Sequence, residues 1–485
     1  MSNSAISEES IYFVPVEKLC TGPAITCAPD TDIVEMARIM RDHDISCIVV
    51  TENKTPVGIV SVRDCRNLIA DSQGSVAGIR VRDIMSTGVF KVRRRDYLFT
   101  AIFMMSTHNI HRLVVVDDDG RLFGVITDTD LVRIKIRTPL YINQELEAAQ
   151  SIDELRMIGT RLLDMVRFAA NAGAETKSLV QLISHFNDRF TLRIIYLLEQ
   201  NEGIRLPEGA AYLALGSEGR GEQTLRTDQD SAVVYRNDLP PEKLGEIERF
   251  ATRLVDSLVE IGVPRCPGDT MASNPRWRHS LTEWKEFLNQ WISIPTPEHV
   301  VDFGMFQDLR VVHGDKSLGK DLHDHILAII KRHAFFLPNM ARSIVRFQPP
   351  LGMFGRIKGE RSGENRGKVD IKKAGIFALT VGASLLSLEA GIVGGSTWDK
   401  LEQLGKRGII APSDLETVVE SYTFLVKLRL QRQLRSLTEG KPATNHVDPH
   451  QMSTMERDQF RQALKGAGFF LRIINDHYQL DMTSR

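Results

Sequence analysis

The apolar positions change their spacing several times along this chain, and each change predicts a different kind of element. Up to about residue 138, apolar runs such as Cys47 to Val50 and Leu113 to Val116 end at turns, Glu52-Asn53-Lys54 and Asp117 to Gly120, as strands do. Each run follows a stretch of helical period, Ile33 to Arg41 and Phe99 to His108. The arrangement is an internal repeat: Gly58-Ile59-Val60-Ser61-Val62-Arg63-Asp64 returns as Gly124-Val125-Ile126-Thr127-Asp128-Thr129-Asp130, 66 positions later. The unit reads helix, strand, turn, strand, helix.

From Gln144 to Gln200 the period is helical and free of proline, with Leu155, Ile158, Leu162, Leu163 and Val166 on one face and Leu179, Leu182, Ile183 and Phe186 on another. Asn171-Ala172-Gly173-Ala174 marks the break between helices. These helices suit a connector that transmits movement, and equally a passive spacer or a dimer interface. Tyr212 to Leu215 then read as a buried strand, Gly216-Ser217 as a turn, and Ser231 to Tyr235 as a second strand. A turn-rich loop, Cys266 to Trp277, precedes a helix from Leu281 to Trp291. Trp277, Trp284 and Trp291 recur every seven residues, which favours a packed core over base stacking. Met305 to Val312 reads as a strand, and Ala374 to Leu388, uncharged but short of the ~18 residues a membrane span needs, as a buried helix. Amphipathic helices follow from Thr397 (Leu401, Leu404; Val418, Val419, Tyr422, Leu425, Leu428, Leu430), with Pro412 and Pro449 near helix starts.

With 485 residues the chain exceeds one core, and three or four units are expected. A formal net charge of −1 supplies no global attraction for nucleic acid or anionic membrane. The polar, acidic start MSNSAISEES is no signal sequence, so a cytoplasmic protein with neither nucleic-acid nor membrane partner is expected. Five cysteines without CxxC spacing argue for reduced thiols rather than disulfides or zinc, and Cys266 reads as inert.

The chemistry concentrates between Ala211 and Tyr235. Asp228 and Asp230 share a strand face and repel unless a cation sits between them. Magnesium or manganese fits, being held by one or two carboxylates and substrate phosphates. Gly216 and Ser217 would offer backbone N–H and hydroxyl groups to a triphosphate, with Arg220 a further charge. The stretch resembles the nucleotidyltransferase signature, Gly-Ser followed by Asp-x-Asp, and within it the branch of the PII uridylyltransferase, whose Arg-Gly-Glu is matched by Arg220-Gly221-Glu222. The first part of the chain resembles a tandem pair of CBS domains, which commonly bind adenine nucleotides. Nearly the whole chain is similar to bacterial proteins that join CBS or cyclic-nucleotide modules to a uridylyltransferase-like domain and a helical substrate-binding domain.

The expected fold is therefore α/β plus all-α: a tandem CBS module (11–138), linker helices (139–204), a nucleotidyltransferase α/β domain (205–325) and a C-terminal helical bundle (326–485). The resemblance implies a magnesium-dependent enzyme that moves a nucleoside monophosphate from a nucleoside triphosphate to an unknown acceptor, a protein or a small molecule. Asp228 and Asp230 would hold the metal. A third carboxylate is expected at Asp308, preferred over Asp302 and Asp315 because it matches Asp-x-Arg, with Arg310 on the same face pairing with it. Gly216, Ser217, Arg220, Glu222, Lys368, Asp370 and Lys372 are the expected nucleotide contacts. In the CBS pair, Thr26, Ser61, Asp64, Thr127 and Asp130 would bind the adenine nucleotide regulator, Ser61 or Thr127 donating to phosphate and Asp64 or Asp130 accepting from ribose. The bland alternative is that both aspartates cap helices. A homodimer through the CBS domains is expected. The competing function is a non-catalytic nucleotide sensor or scaffold.

Overall fold

The computed structural model describes residues 15–18, 20, 24–108, 110–127, 130, 139–225 and 228–480. The chain forms two compact units, residues 1–141 and 142–485.

In the first unit the repeat becomes two three-stranded sheets, β1 (Thr26–Cys27), β2 (Cys47–Glu52), β3 (Thr55–Ser61) and β4 (Lys91–Arg93), β5 (Arg112–Val116), β6 (Leu122–Thr127). In each sheet the first strand runs parallel to the second and the second pairs antiparallel with the third. The copies match in register: Thr26 faces Val49, and Val92 faces Val115. Helices α1 (Ile33–Asp42) and α3 (Leu98–His108) cover the sheets, and α2 (Val62–Asp71) follows β3. Met36, Met40, Ile48, Val50 and Val60 fill the first core; Leu98, Ala101, Leu113, Val115 and Ile126 fill the second. Val49, Val114 and Val116 pack together across the two copies. The helix expected after Asp130 lies outside the described residues.

The second unit is built on a four-stranded sheet ordered β10–β7–β8–β9, from β7 (Ala210–Ala214), β8 (Ser231–Tyr235), β9 (Arg278–Ser280) and β10 (Arg310–Gly314). Alternation assigns its two faces. Tyr212 and Val233 pack with Phe190, Ile194, Phe250 and Leu254, which come from α6 (Thr176–Glu202) and α7 (Pro241–Glu260). The same core takes Ile142 and Leu146 of α4 (Pro139–Ala148) and Leu155, Ile158, Leu162 and Val166 of α5 (Ile152–Asn171). The helices expected as a linker are thus one wall of the nucleotidyltransferase-like layer. Their break is where expected, with Gly173 at φ +85° between α5 and α6.

The other face, Ala211, Leu213, Ala232 and Val234, packs on α8 (Leu281–Ser293), α9 (Pro297–Phe306) and α10 (Lys316–Arg332). Trp277, Trp284 and Trp291 are all buried there, as core residues, and the Trp284 indole donates to the Val233 carbonyl at 3.0 Å. That core runs without interruption into the C-terminal helices α11 (Phe336–Ile344), α12 (Phe377–Glu389), α13 (Thr397–Lys406), α14 (Pro412–Thr438) and α15 (Thr454–His477), so residue 326 is no boundary in the packing. Helix α12 is the buried, uncharged helix expected, entered through a π-helical turn at Lys372–Ile376. The short strands β11 (Val369–Asp370) and β12 (His446–Val447) pair antiparallel beside it. All five cysteines are free, and no helix among the described residues is long and apolar enough to cross a membrane.

Candidate functional site

The site lies where β7 and β8 end side by side. Leu215 donates its N–H to the Asp230 carbonyl at 2.8 Å, which continues the ladder past Ala214 and sets the Asp230 side chain against Gly216. Gly216 sits at φ +52°, and a Cβ there would come within 3.1 Å of Asp230 Oδ2, so the turn needs glycine on both counts. Residues Gly216–Gly219 make one helical turn. A Cβ on Gly219 would stand 2.1 Å from the Asp308 carbonyl oxygen, which seats the turn directly on the chain at 308. The guanidinium of Arg310 holds the turn from the other side, donating to the carbonyls of Gly219 (3.1 Å) and Glu218 (2.9 Å) and to both carboxylate oxygens of Asp188 on α6 (2.8 and 2.9 Å).

Asp230 is 5% exposed, and its Oδ1 is buried with no hydrogen-bond partner among the described residues. Burial, and then the charge of Asp228, lift its pKa to about 6. Asp228 is less buried, and Lys372 Nζ stands 3.9 Å from its Oδ2. Its carbonyl accepts from the side-chain amide of Gln223 at 3.2 Å, and Gln223 is held in turn by Asn187 of α6 at 2.8 Å. Two carboxylates, one with a bare buried oxygen, fit a hard divalent cation. The Cys266 thiol neighbours Asp230 and is pushed up by burial, in keeping with an inert group.

Asp308 does not join them, and the expectation that it stands in a strand paired with Arg310 is corrected. It lies between α9 and β10 rather than in a strand, and it is 2% exposed. Lys400 of α13 donates to Oδ1, Arg220 to Oδ2 at 2.7 Å, and Ser384 stands 3.5 Å from both oxygens. Burial alone would raise its pKa; the ammonium of Lys400 and the guanidinium of Arg220 outweigh that and hold it below the usual carboxylate range. Arg310, its expected partner, is spent on Asp188. Among the described residues no group of three acidic, histidine or cysteine side chains is placed to hold a metal. Asp302 sits on α9 paired with Arg276, and Asp315 caps α10.

Arg220 and Glu222, expected as nucleotide contacts, are engaged within the protein. Arg220 bridges Asp308 and Glu222, and Glu222 accepts from the N–H (2.8 Å) and hydroxyl (3.1 Å) of Thr397 at the start of α13. These four charges form a buried clamp between the glycine turn and the C-terminal helices. Ser217 is half-buried on the turn, its carbonyl accepting from the Glu222 N–H at 3.0 Å. Asp370 accepts from the backbone N–H groups of Lys372 (3.0 Å) and Lys373 (3.3 Å), which positions Lys372. Lys368 is held in the preceding loop by backbone bonds to Asn365 and Glu360, with no ion pair to the two acids among the described residues.

In the first unit, Asp64 Oδ2 accepts from the Ser61 N–H and hydroxyl, both at 2.7 Å, and Asp130 Oδ2 from the Thr127 N–H and hydroxyl at 2.9 and 2.7 Å. Asp64 therefore caps α2, and Asp130 makes the same pair of hydrogen bonds in the second copy. Thr26 is exposed on β1.

Two buried cations escape sequence reasoning. Lys400 and Arg429 are 2% and 7% exposed. The signal exists: Arg429 continues the series Val418, Tyr422, Leu425 on the face of α14 that the period reserves for the core. Burial lowers its pKa, and the carboxylate of Asp228 is the strongest charge opposing that.

Family models match in three places: "CBS domain" over residues 16–71 and 81–137, "Putative nucleotidyltransferase DUF294" over 160–298, and "Putative nucleotidyltransferase substrate binding domain" over 334–478. The chain carries a CBS pair followed by a DUF294 domain and its helical partner domain. The DUF294 match begins inside α5, in agreement with helices that share a core with the four-stranded sheet. An uncharacterised relative, MK0525 of Methanopyrus kandleri, is 31% identical over 138 residues, covering 28% of this chain and 70% of its own. MJ1232 of Methanocaldococcus jannaschii is 29% identical over 109 residues, 22% of this chain and 35% of its own, so the chain spans about a third of that relative. Among solved structures, the CBS domain protein PAE2072 from Pyrobaculum aerophilum, complexed with AMP, is 27% identical, covering 24% of this chain and 90% of that one at a TM-score of 0.23.

Proposed function

We propose that this chain is a nucleotidyltransferase using magnesium or manganese, which moves a nucleoside monophosphate from a nucleoside triphosphate to an acceptor. The observation that carries the reading is the pair Asp228 and Asp230, with one buried carboxylate oxygen bare, set against a glycine turn and faced by Lys372. Asp228 and Asp230 would hold the metal, which when bound neutralises charge on the phosphates and polarises the one attacked. Gly216 lets the backbone approach the substrate, Lys372 and Arg429 supply positive charge beside the carboxylates, and the clamp of Glu222, Arg220, Asp308 and Lys400 keeps the turn from shifting.

The CBS pair is proposed as the regulator, binding an adenine nucleotide. Its support is the identical Ser/Thr–Asp arrangement at Ser61–Asp64 and Thr127–Asp130. One oxygen of each aspartate makes these caps, and ribose hydroxyls are the partners proposed for the other.

A second reading, a sensor that binds nucleotide without transferring it, is favoured by one observation: Asp308 is locked between two cations, and among the described residues no third carboxylate is gathered at the pair. Incubation of the purified chain with α-labelled ATP, UTP, GTP or CTP and a lysate separates the two. Transferred label that disappears in Asp228→Asn supports the enzyme; no label from any of the four leaves the sensor.

A further inference from the structure

We infer that the C-terminal helices hold the polyphosphate of the nucleotide, through Arg429 and Lys372. The inference rests on the reading of Asp228 and Asp230 as the metal-binding pair and adds the groups that receive the rest of the substrate.

A guanidinium buried on the core face of a helix is costly unless it meets charge there. Among the described residues Arg429 makes one hydrogen bond, from Nε to Asn445 Oδ1 at 2.8 Å. Its two terminal amino groups, the fork that suits phosphate oxygens, are left for another partner.

The surroundings are built to fix that fork. Asn445 Oδ1 also accepts from Gln433 Nε2 at 3.2 Å, and Gln433 Oε1 accepts the Thr224 hydroxyl at 2.7 Å, so Arg429 is tied to the loop that carries Asp228. The Asn445 carbonyl accepts from the Ile371 N–H at 2.9 Å, and His446 pairs with Asp370 in the β11–β12 ladder. The segment that orients Arg429 therefore also fixes the residue next to Lys372. Lys372 opens the π-helical turn, an irregularity common where a helix serves a site, and its side chain is 46% exposed beside Asp228. A metal on Asp228 and Asp230 cancels the negative charge these two cations face. Arg429 and Lys372, both beside Asp228, are then left with positive charge to satisfy, and a polyphosphate supplies it.

The test is calorimetric titration of the full chain with pyrophosphate in the presence of magnesium, counting only the heat that Asp228→Asn removes, which sets aside any binding in the CBS pair. Lys372→Ala and Arg429→Gln are each expected to weaken that binding by about 10-fold or more, with Arg429→Lys recovering part. Lys372 is half-exposed, so its variant informs even where Arg429→Gln unfolds. Binding that depends on Asp228 but is unchanged in Lys372→Ala and in folded Arg429→Gln overturns this inference alone. Wild-type chain with no Asp228-dependent binding overturns it together with the metal-pair reading.

Discussion

Asp230 is kept near a like charge with one oxygen bare, an arrangement that costs the empty protein stability. Its pKa is lifted above the ordinary value of 3.8 to about 6, so the folded state is favoured while Asp230 is protonated, and that advantage is lost as pH rises through about 6. A lift of roughly two units corresponds to about 3 kcal/mol at most. Asp230→Asn should therefore raise the melting temperature of the metal-free chain at pH 8 and leave it almost unchanged near pH 3, below the ordinary carboxylate value of 3.8; equal shifts at both pH values would contradict the assigned cause. The buried clamp behaves in the opposite way. Removing Lys400 as Lys400→Met strands Asp308 with Arg220 alone, for an expected loss of about 3–5 kcal/mol in urea unfolding. The double variant Asp308→Asn, Lys400→Met should recover part of it, and an uncoupled pair would show no recovery.

At the level of elements, the glycine turn is the most constrained feature. Gly219→Ala pushes a methyl against the Asp308 carbonyl, so the turn or the chain at 308 must move. Loss of metal affinity together with stability is expected, and a variant with both intact would show that the turn is not seated as described. The strands and helices were largely legible because their faces alternate cleanly, as in Ser231–Tyr235 and in the repeat. Asp308 was misplaced because Met305-Phe306-Gln307-Asp308 is too short an apolar stretch for period to separate the end of a helix from a strand. The helix runs to Phe306 and the strand starts only at Arg310. Its partners were beyond reach for another reason: Arg220 and Lys400 lie 88 and 92 positions away, and no local pattern encodes a contact at that distance. Asp228, Asp230, Gly216 and Lys372, which the structure sets beside one another, were legible because three fall in one motif and the fourth opens a visibly uncharged helix.

At the level of the molecule, the organisation into a repeat module and a DUF294 part was readable from period and motif. Shared packing was not, because the helices of 139–204 and the C-terminal helices share cores with the sheet they flank, which no local pattern encodes. Regulation by the first unit gives its own prediction. AMP, ADP or ATP should raise the melting temperature of the full chain, and the rise should shrink in Asp64→Ala and Asp130→Ala. Those variants also lose caps worth about 1 kcal/mol, so the shift is compared with and without nucleotide for each. The central claim is that Asp228 and Asp230 form a metal site completed by a nucleotide. Electron paramagnetic resonance of manganese titrated into the full chain with a nucleoside triphosphate tests it most directly. The account predicts a bound-manganese signal that wild-type chain shows and Asp230→Asn lacks, whereas the same bound signal in both would contradict it.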